Sequence, residues 1–296
     1  MSLHQQGLQA ARSHTVPKSA DVQGPVAFSI ATLVTDPSAY AAMCQSFADA
    51  GFDAADCEFL TIDNTTAPQA SAFAGLNRAL AMARGRHVIL CHQDVLLTHD
   101  DRAVLERRLA ELDAQDPRWG VAGNAGGVGP GELAIRITDP HGADQRRGTF
   151  PARVASVDEN FIVVKGGTRF GFSADLDGFH FYGADLCTQA RIAGHTSYVI
   201  DFHLTHLSAG KAGAAFATAR EAFTAKWARA LEPTLIQTTC AVTALNPNPA
   251  LGELQALTAR LASAIGRRLK PRLGARQQTQ RPGTGQVSDT ASAARS

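Results

Sequence analysis

Three apolar runs in the first hundred residues each end in an acidic residue, and a helical pattern follows each one. Residues 26–34 close at Asp36, residues 58–62 close at Asp63 and Asn64, and the run that starts at residue 87 closes near Asp94. Residues 38–50, 69–84 and 100–114 carry helical periodicity, and Gly51 and Gly85 stop the first two. Strand–helix–strand–helix–strand order selects an α/β fold with parallel strands and right-handed crossovers. In such sheets ligands gather at the carboxyl ends of the strands. Packing does not call for Asp36, Asp63 and Asp94 at three successive strand ends, so the pattern points to a polar site with a metal.

Composition narrows the class. The 296 residues are 45% hydrophobic and 19% charged, which is enough apolar surface for a core and excludes disorder throughout. No apolar run reaches the roughly 20 residues of a spanning helix; the candidate at residues 87–97 is interrupted by His92, Gln93 and Asp94. A net charge of +1 argues against nucleic acid as the main partner. The five cysteines (Cys44, Cys57, Cys91, Cys187, Cys240) are odd in number, widely spaced and without a CxxC pair. They read as reduced thiols of a cytoplasmic protein. Residues 1–24 lack an apolar signal core and read as a flexible lead. Residues 271–296, rich in Gln, Thr, Ser, Gly and Pro, read as a disordered tail.

The second half is less regular. Residues 132–138 and 197–207 read as strands, and 183–193 and 212–231 as helices. The glycine-rich stretch 123–131 lacks a following Lys-Ser/Thr, so it is no phosphate loop and reads as a flexible surface loop. The first strand–helix turn, Thr35-Asp36-Pro37-Ser38, has no GxGxxG, which argues against a dinucleotide-binding domain. Gly171-Phe172-Ser173-Ala174-Asp175 lacks the second glycine of a nucleophile elbow. His203 and His206 look like a metal pair, but their odd spacing on a strand puts them on opposite faces, so at most one acts at the site.

Three stretches remain: Glu58–Asn64 with Gly75-Leu76-Asn77, then His87–Leu97, then Gly178–Cys187 with His206-Leu207-Ser208 downstream. In this order they resemble the family 2-like glycosyltransferases of GT-A fold, over roughly residues 26–210. The resemblance implies a mostly parallel central sheet with helices on both faces and transfer of a sugar from a nucleotide-sugar to an acceptor hydroxyl, by inverting single displacement. It implies donor contacts from Asp36, Asp63, Asn64, Asn77 and Gln93, with Asp63 at the nucleotide base. It places a divalent metal, Mn²⁺ or Mg²⁺, on Asp94, the last aspartate of the DxD motif, with His92 in that motif's first position and His206. Histidine there suits Mn²⁺ better than Mg²⁺. Asp185, in the first turn of a helix that would keep it ionised, matches the catalytic base. His180 and Tyr182 would face the acceptor, a glycan or a lipid-linked molecule.

The organisation expected is a transferase domain over 25–231 and a helical extension over 232–270. Two other readings are a catalytically silent GT-A module, which His92 and Ala184 keep open, and a nucleotidyltransferase, which would want a basic glycine-rich loop after the first strand. The last helix has Leu251, Leu254, Leu257, Leu261, Ile265 and Leu269 at 3–4 spacing. Arg260, Arg267, Arg268, Lys270, Arg272 and Arg276 lie in a stretch free of acidic residues. A helix packed on the domain with a solvated basic face is the simpler reading; contact with an anionic membrane is the alternative.

Overall fold

The computed structural model describes residues 25–210, 213–230 and 233–269. The expected N-terminal lead and C-terminal tail lie outside these residues. The chain runs β1 (Phe28–Val34), α1 (Pro37–Asp49), β2 (Cys57–Asp63), α2 (Ala72–Met82), β3 (His87–Cys91), β4 (Val95–Leu96), α3 (Arg102–Gln115) and β5 (Trp119–Gly123). It continues through β6 (Ala125–Gly129), β7 (Glu132–Asp139), β8 (Gly142–Arg147), β9 (Ala152–Arg153), β10 (Ser156–Val157) and β11 (Phe161–Lys165). The rest is α4 (Tyr182–Ile192), β12 (Thr196–Val199), β13 (Leu204–His206), α5 (Ala214–Trp227), β14 (Thr234–Gln237), β15 (Val242–Leu245) and α6 (Pro249–Leu269).

The main sheet has the order β2-β1-β3-β11-β5-β12-β9. β2, β1, β3, β5 and β12 run the same way; β11 and β9 run against them. β3 (HVILC) is buried along its whole length, as a central strand covered on both faces must be. Met43 and Phe47 of α1 and Leu105, Leu109 and Leu112 of α3 cover one face, against Phe28, Ile30 and Ile89. Phe73, Leu76 and Ala79 of α2 and Leu186 and Ala190 of α4 cover the other, against Ala31, Ile162 and Val164. This is the α/β layering, with a mostly parallel core, expected of a GT-A-type chain. The helix starts follow local rules: Asp36 caps α1 by accepting from the Ser38 and Ala39 N–H groups, with Pro37 at the first position, and Ser71 and Asp101 cap α2 and α3.

Three expectations fail. Residues 123–131 are not a surface loop. They form the end of β5 and β6, and β6 joins a second sheet, β10-β6-β7-β13-β4, with β8 beside β7. The glycines are there for close approach: a Cβ on Gly127 would lie 1.7 Å from the Gln237 carbonyl oxygen. Residues 197–207 are not one strand. β12 stays in the main sheet and β13 crosses to the second. Residues 232–270 are not purely helical, because β14 and β15 pair as an antiparallel hairpin before α6. α6 packs through Gly252 and Ala256 and leaves Leu251, Leu254, Leu257, Leu261 and Ile265 more than half exposed.

His87 opens β3 inside the core. It stacks on Trp119, ring centroids 5.8 Å apart, and its Nδ1 has no hydrogen-bond partner. Burial pushes its pKa down to about 4, and the Arg86 charge adds to this. The unfolded chain therefore binds this proton more tightly than the folded one, so stability is full above about pH 6.5 and falls as pH drops towards 4. Urea denaturation at pH 7 and pH 5 should show a loss of up to about 2 kcal/mol from this residue. His87→Phe should flatten that slope; an unchanged slope assigns the acid sensitivity elsewhere.

Candidate active site

The ends of β1 and β3 are stapled by one side chain. Gln93 Oε1 accepts from the Thr35 and Asp36 N–H groups at 2.8 and 2.9 Å, and its Nε2 donates to Thr35 Oγ1 at 2.8 Å. Beyond Gln93 the chain enters β4, where Val95 pairs with His206 of β13 and the Leu207 N–H donates to the Asp94 carbonyl at 3.1 Å. That pairing gathers three side chains from two distant segments. His206 Nε2 lies 3.3 Å from His92 Nδ1 and 3.4 Å from Asp94 Oδ1, and the Ser208 hydroxyl is 3.1 Å from the same nitrogen. One ligand atom from each of His92, Asp94 and His206 falls within 4.8 Å of the others.

The three groups shift one another's protonation. Burial pushes His92 down to about 4, helped by the neighbouring His206, so its imidazole is neutral at pH 7. Burial would raise the Asp94 carboxyl, but the His206 imidazole overcomes it and holds it at about 2. Burial disfavours the His206 imidazolium, and Asp94 more than offsets that, raising its pKa. The tautomer of His92 follows from its other contact. The Tyr182 hydroxyl has one proton and gives it to the Glu159 carbonyl at 3.0 Å. His92 Nε2, 2.7 Å from that hydroxyl, must then donate to it, which leaves the Nδ1 lone pair facing the cluster. The donor set of two imidazole nitrogens and a carboxylate fits a first-row divalent ion.

His92, Asp94 and Ser208 border a cleft of about 270 Å³, which Leu33, Leu76, Leu90, Glu159 and the exposed Phe179 also line. Glu159 was not singled out from the sequence. It sits in Val157-Asp158-Glu159-Asn160, between β10 and β11, and its Oε1 accepts from the Gly183 N–H at the start of α4 at 3.3 Å. Burial raises its carboxyl to about 8, and the charge of Asp158 adds to the shift. The adjacent acidic pair before a strand was a visible signal. Its direction was not, because that depends on the His92 N–H bonding the Asn160 carbonyl.

The remaining expected residues divide. Tyr182 and Gln93 border the cleft, but as supports of His92 and of the strand ends. Asp63 is exposed at the end of β2 with Oδ1 accepting from Thr65. Asp36 caps α1. Asn64 is buried and spends its amide on the Ala70 backbone, closing the 64–70 loop, so it is not free for a ligand. Asn77 does the same for Phe172, with both bonds at 2.9 Å. His180 packs edge-on against Phe216 outside the cleft. His203 stacks on His99 and bonds Thr138, away from the cluster, in line with its spacing from His206.

Asp185 requires a correction. It is fully buried, and its oxygens accept from the Ser173 N–H (2.8 Å), the Ser173 hydroxyl (2.7 Å) and Trp227 Nε1 (2.9 Å). Burial raises its pKa against the pull of these bonds, and a side chain with no exposed surface has no open face towards an acceptor. It fixes α4 to the 170–173 segment and to α5 instead.

No family model matches the chain. Over 208 residues, 68% of this chain and 84% of the other, it is 38% identical to the ATP synthase subunits region ORF 6 protein of Fuscovulum blasticum. Solved structures similar to it include the mannosyltransferase PcManGT of Pyrobaculum calidifontis, in complex with GDP-Man and Mn²⁺, at 11% identity and a TM-score of 0.47 over 81% of this chain and 74% of that one. Another is S. aureus TarS with UDP-GlcNAc, at 13% identity and a TM-score of 0.45 over 69% of this chain and 65% of that one. Likeness at this level assigns no role to any residue here.

The geometry around Asp185 gives a sharp expectation. Asp185→Asn replaces an acceptor with a donor facing the Ser173 hydroxyl and Trp227, so one buried donor loses its partner. Urea denaturation should show a loss of about 1–3 kcal/mol. Unchanged stability would contradict the anchoring role.

Proposed function

This chain belongs to the same family as the Fuscovulum blasticum ORF 6 protein, and we propose that it is a glycosyltransferase moving a sugar from a nucleotide-sugar donor to an acceptor hydroxyl. The observation that carries this reading is the His92–Asp94–His206 cluster beside a cleft at the carboxyl ends of β1 and β3. The sequence resemblance supplies the reaction class; the cluster supplies a place for the donor diphosphate.

His92 Nδ1, His206 Nε2 and an Asp94 oxygen would hold the metal, with Mn²⁺ favoured by two nitrogen ligands. Bound there, it would neutralise charge on a diphosphate leaving group. Tyr182 holds His92 in the ligating tautomer, and Gln93 fixes the distance between the strand ends. Asp63, with Oδ1 committed to Thr65, keeps Oδ2 for the donor's base at the same sheet edge. Glu159 takes the part first expected of Asp185, accepting the proton of the acceptor hydroxyl. Burial gives it a proton affinity close to neutral pH, which a general base needs. A single carboxyl in the cleft besides Asp94 suits a single displacement with inversion.

Contact with an anionic membrane belongs to the same reading. Among the described residues no helix is long and apolar enough to cross a membrane. α6 does turn its leucine stripe outward, and in the sequence that stripe is followed by Arg267, Arg268 and Lys270. An exposed apolar face next to basic residues suits the surface of an anionic bilayer, and a lipid-linked acceptor with it.

Three measurements test these points. Asp94→Ala should weaken Mn²⁺-dependent binding of a nucleotide-sugar by about tenfold or more in calorimetry, since removing a charged ligand costs at least 1.5–3 kcal/mol; equal affinity contradicts the metal centre. Glu159→Gln should lower kcat by about 10²–10⁴-fold with donor affinity retained. Binding without turnover in the wild-type protein would select the silent module. Leu257→Glu with Leu261→Glu should abolish co-sedimentation with anionic vesicles at low salt, and no sedimentation of the wild type removes the membrane contact.

A further inference from the structure

A second cleft, of about 480 Å³, lies between the second sheet, α5, the β14–β15 hairpin and α6. Arg147 of β8, Arg220 of α5 and Arg260 of α6 line it, and no carboxylate does. Arg260 spends one N–H on the Val242 carbonyl at 2.9 Å. Among the described residues the side chains of Arg147 and Arg220 have no hydrogen-bond or ion-pair partner. Arg84, Arg102, Arg108, Arg136 and Arg146, by contrast, pair with acidic side chains, while several other surface arginines among the described residues are unpaired as well; what the cleft adds is three arginines in one lining. Three guanidinium groups from three elements, facing one concavity with no counter-charge in its lining, raise the local potential for anions. Their forked donors match the oxygens of a phosphate group.

The arginine cleft and the candidate active site each share lining residues with one small cavity. That cavity, of about 40 Å³, shares Glu159 with the active-site cleft and Phe216 and Thr239 with the arginine cleft. Phe216 packs on Phe181, which precedes Tyr182, with ring centroids 5.0 Å apart. The Thr239 hydroxyl donates to Asp158, the neighbour of Glu159, at 2.8 Å. A molecule anchored by its anionic end on the arginines would therefore lie on the Glu159 side of the active site, the side from which the proposed base meets an acceptor.

We propose that the cleft of Arg147, Arg220 and Arg260 binds a phosphate-bearing end of the acceptor, a phosphomonoester or a diphosphate. The acceptor role rests on the glycosyl-transfer reading; the anion site itself does not. The phosphate is either that of a soluble molecule or that of a lipid headgroup, which the outward leucines of α6 would bring within reach.

The test uses the full chain in EDTA, so that a metal-bound diphosphate at Asp94 does not contribute. Calorimetry with inorganic pyrophosphate should give saturable binding. The Arg147→Gln/Arg220→Gln double variant should weaken it by about tenfold per arginine or more, and Asp94→Ala should leave it unchanged. Both arginines are unpaired among the described residues, so the double variant should keep the wild-type unfolding curve. The second arm uses neutral phosphatidylcholine vesicles doped with phosphatidic acid. Vesicle binding lost in the double variant, without pyrophosphate binding, supports the site with a lipid-borne phosphate. Pyrophosphate or vesicle binding that survives the double substitution overturns the proposal, as does the absence of both. Mn²⁺-dependent nucleotide-sugar binding is measured in parallel on the same variants. Its absence in the wild type, with pyrophosphate binding intact and arginine-dependent, defeats the glycosyl reading and leaves the anion site standing.

Discussion

The Leu207 N–H bonded to the Asp94 carbonyl, next to the Val95–His206 pairing, is the constraint on which the site depends. The β4–β13 ladder pairs Val95 with His206 and Leu96 with Thr205 in antiparallel register. That register puts His206 beside Asp94 and, through the turn at residue 92, beside His92. Each group then changes its neighbours' protonation: Asp94 is held ionised, His206 is made a stronger base, and His92 is kept neutral. Without the strand pairing, three surface side chains would behave as ordinary ones.

Two carboxylates meet the first turns of α4 and do opposite things. Glu159 approaches from outside the helix and accepts from the Gly183 N–H, taking up one of the donors that a helix start leaves unpaired. α4 lacks a side-chain cap of its own, and its N-cap residue Phe181 sits at φ 64°, so this outside acceptor is structurally useful as well as placed at the cleft. Asp185 points inward and ties α4 to Ser173 and Trp227. The second carboxylate thereby fixes the helix whose first residue, Tyr182, holds His92. A residue expected to do chemistry instead sets the position of one that touches the site.

The C-terminal hairpin and α6 are part of the wall around the second sheet. Ser156 donates to the Gln237 carbonyl at 2.7 Å, and the same carbonyl presses on Gly127. Because that contact is backbone against backbone, β6 needs glycine, and the glycine-rich composition that looks like a loop is a packing surface. α6 closes the hairpin with Gly252 and Ala256, which bring the helix near but bury little. Its larger apolar residues consequently face away from the protein.

Local sequence determined the elements of the first half. Runs of apolar residues longer than a half-buried strand requires, stopped by Asp36, Asp63 and Asp94 and followed by capped helices, allow little besides a parallel core covered on both faces. The metal candidates were legible for the same reason: a strand end in an α/β sheet is a fixed address, so Asp94 and His92 had to lie at the ligand edge. His203 stands one residue before β13, stacked on His99, while His206 lies in that strand beside Asp94. Tertiary structure alone decided the direction of every residue whose role depends on a partner far along the chain. Asn64, Asn77 and Asp185 turned to buried backbone or indole donors, because an unpaired donor in the core costs more than a ligand contact returns. Glu159 became the cleft carboxyl through a contact with a helix that starts more than twenty residues later, and the arginine cleft exists only where three elements, none adjacent in sequence, happen to close on one another. Periodicity reports which face of an element is apolar; it carries no information on what that face will meet.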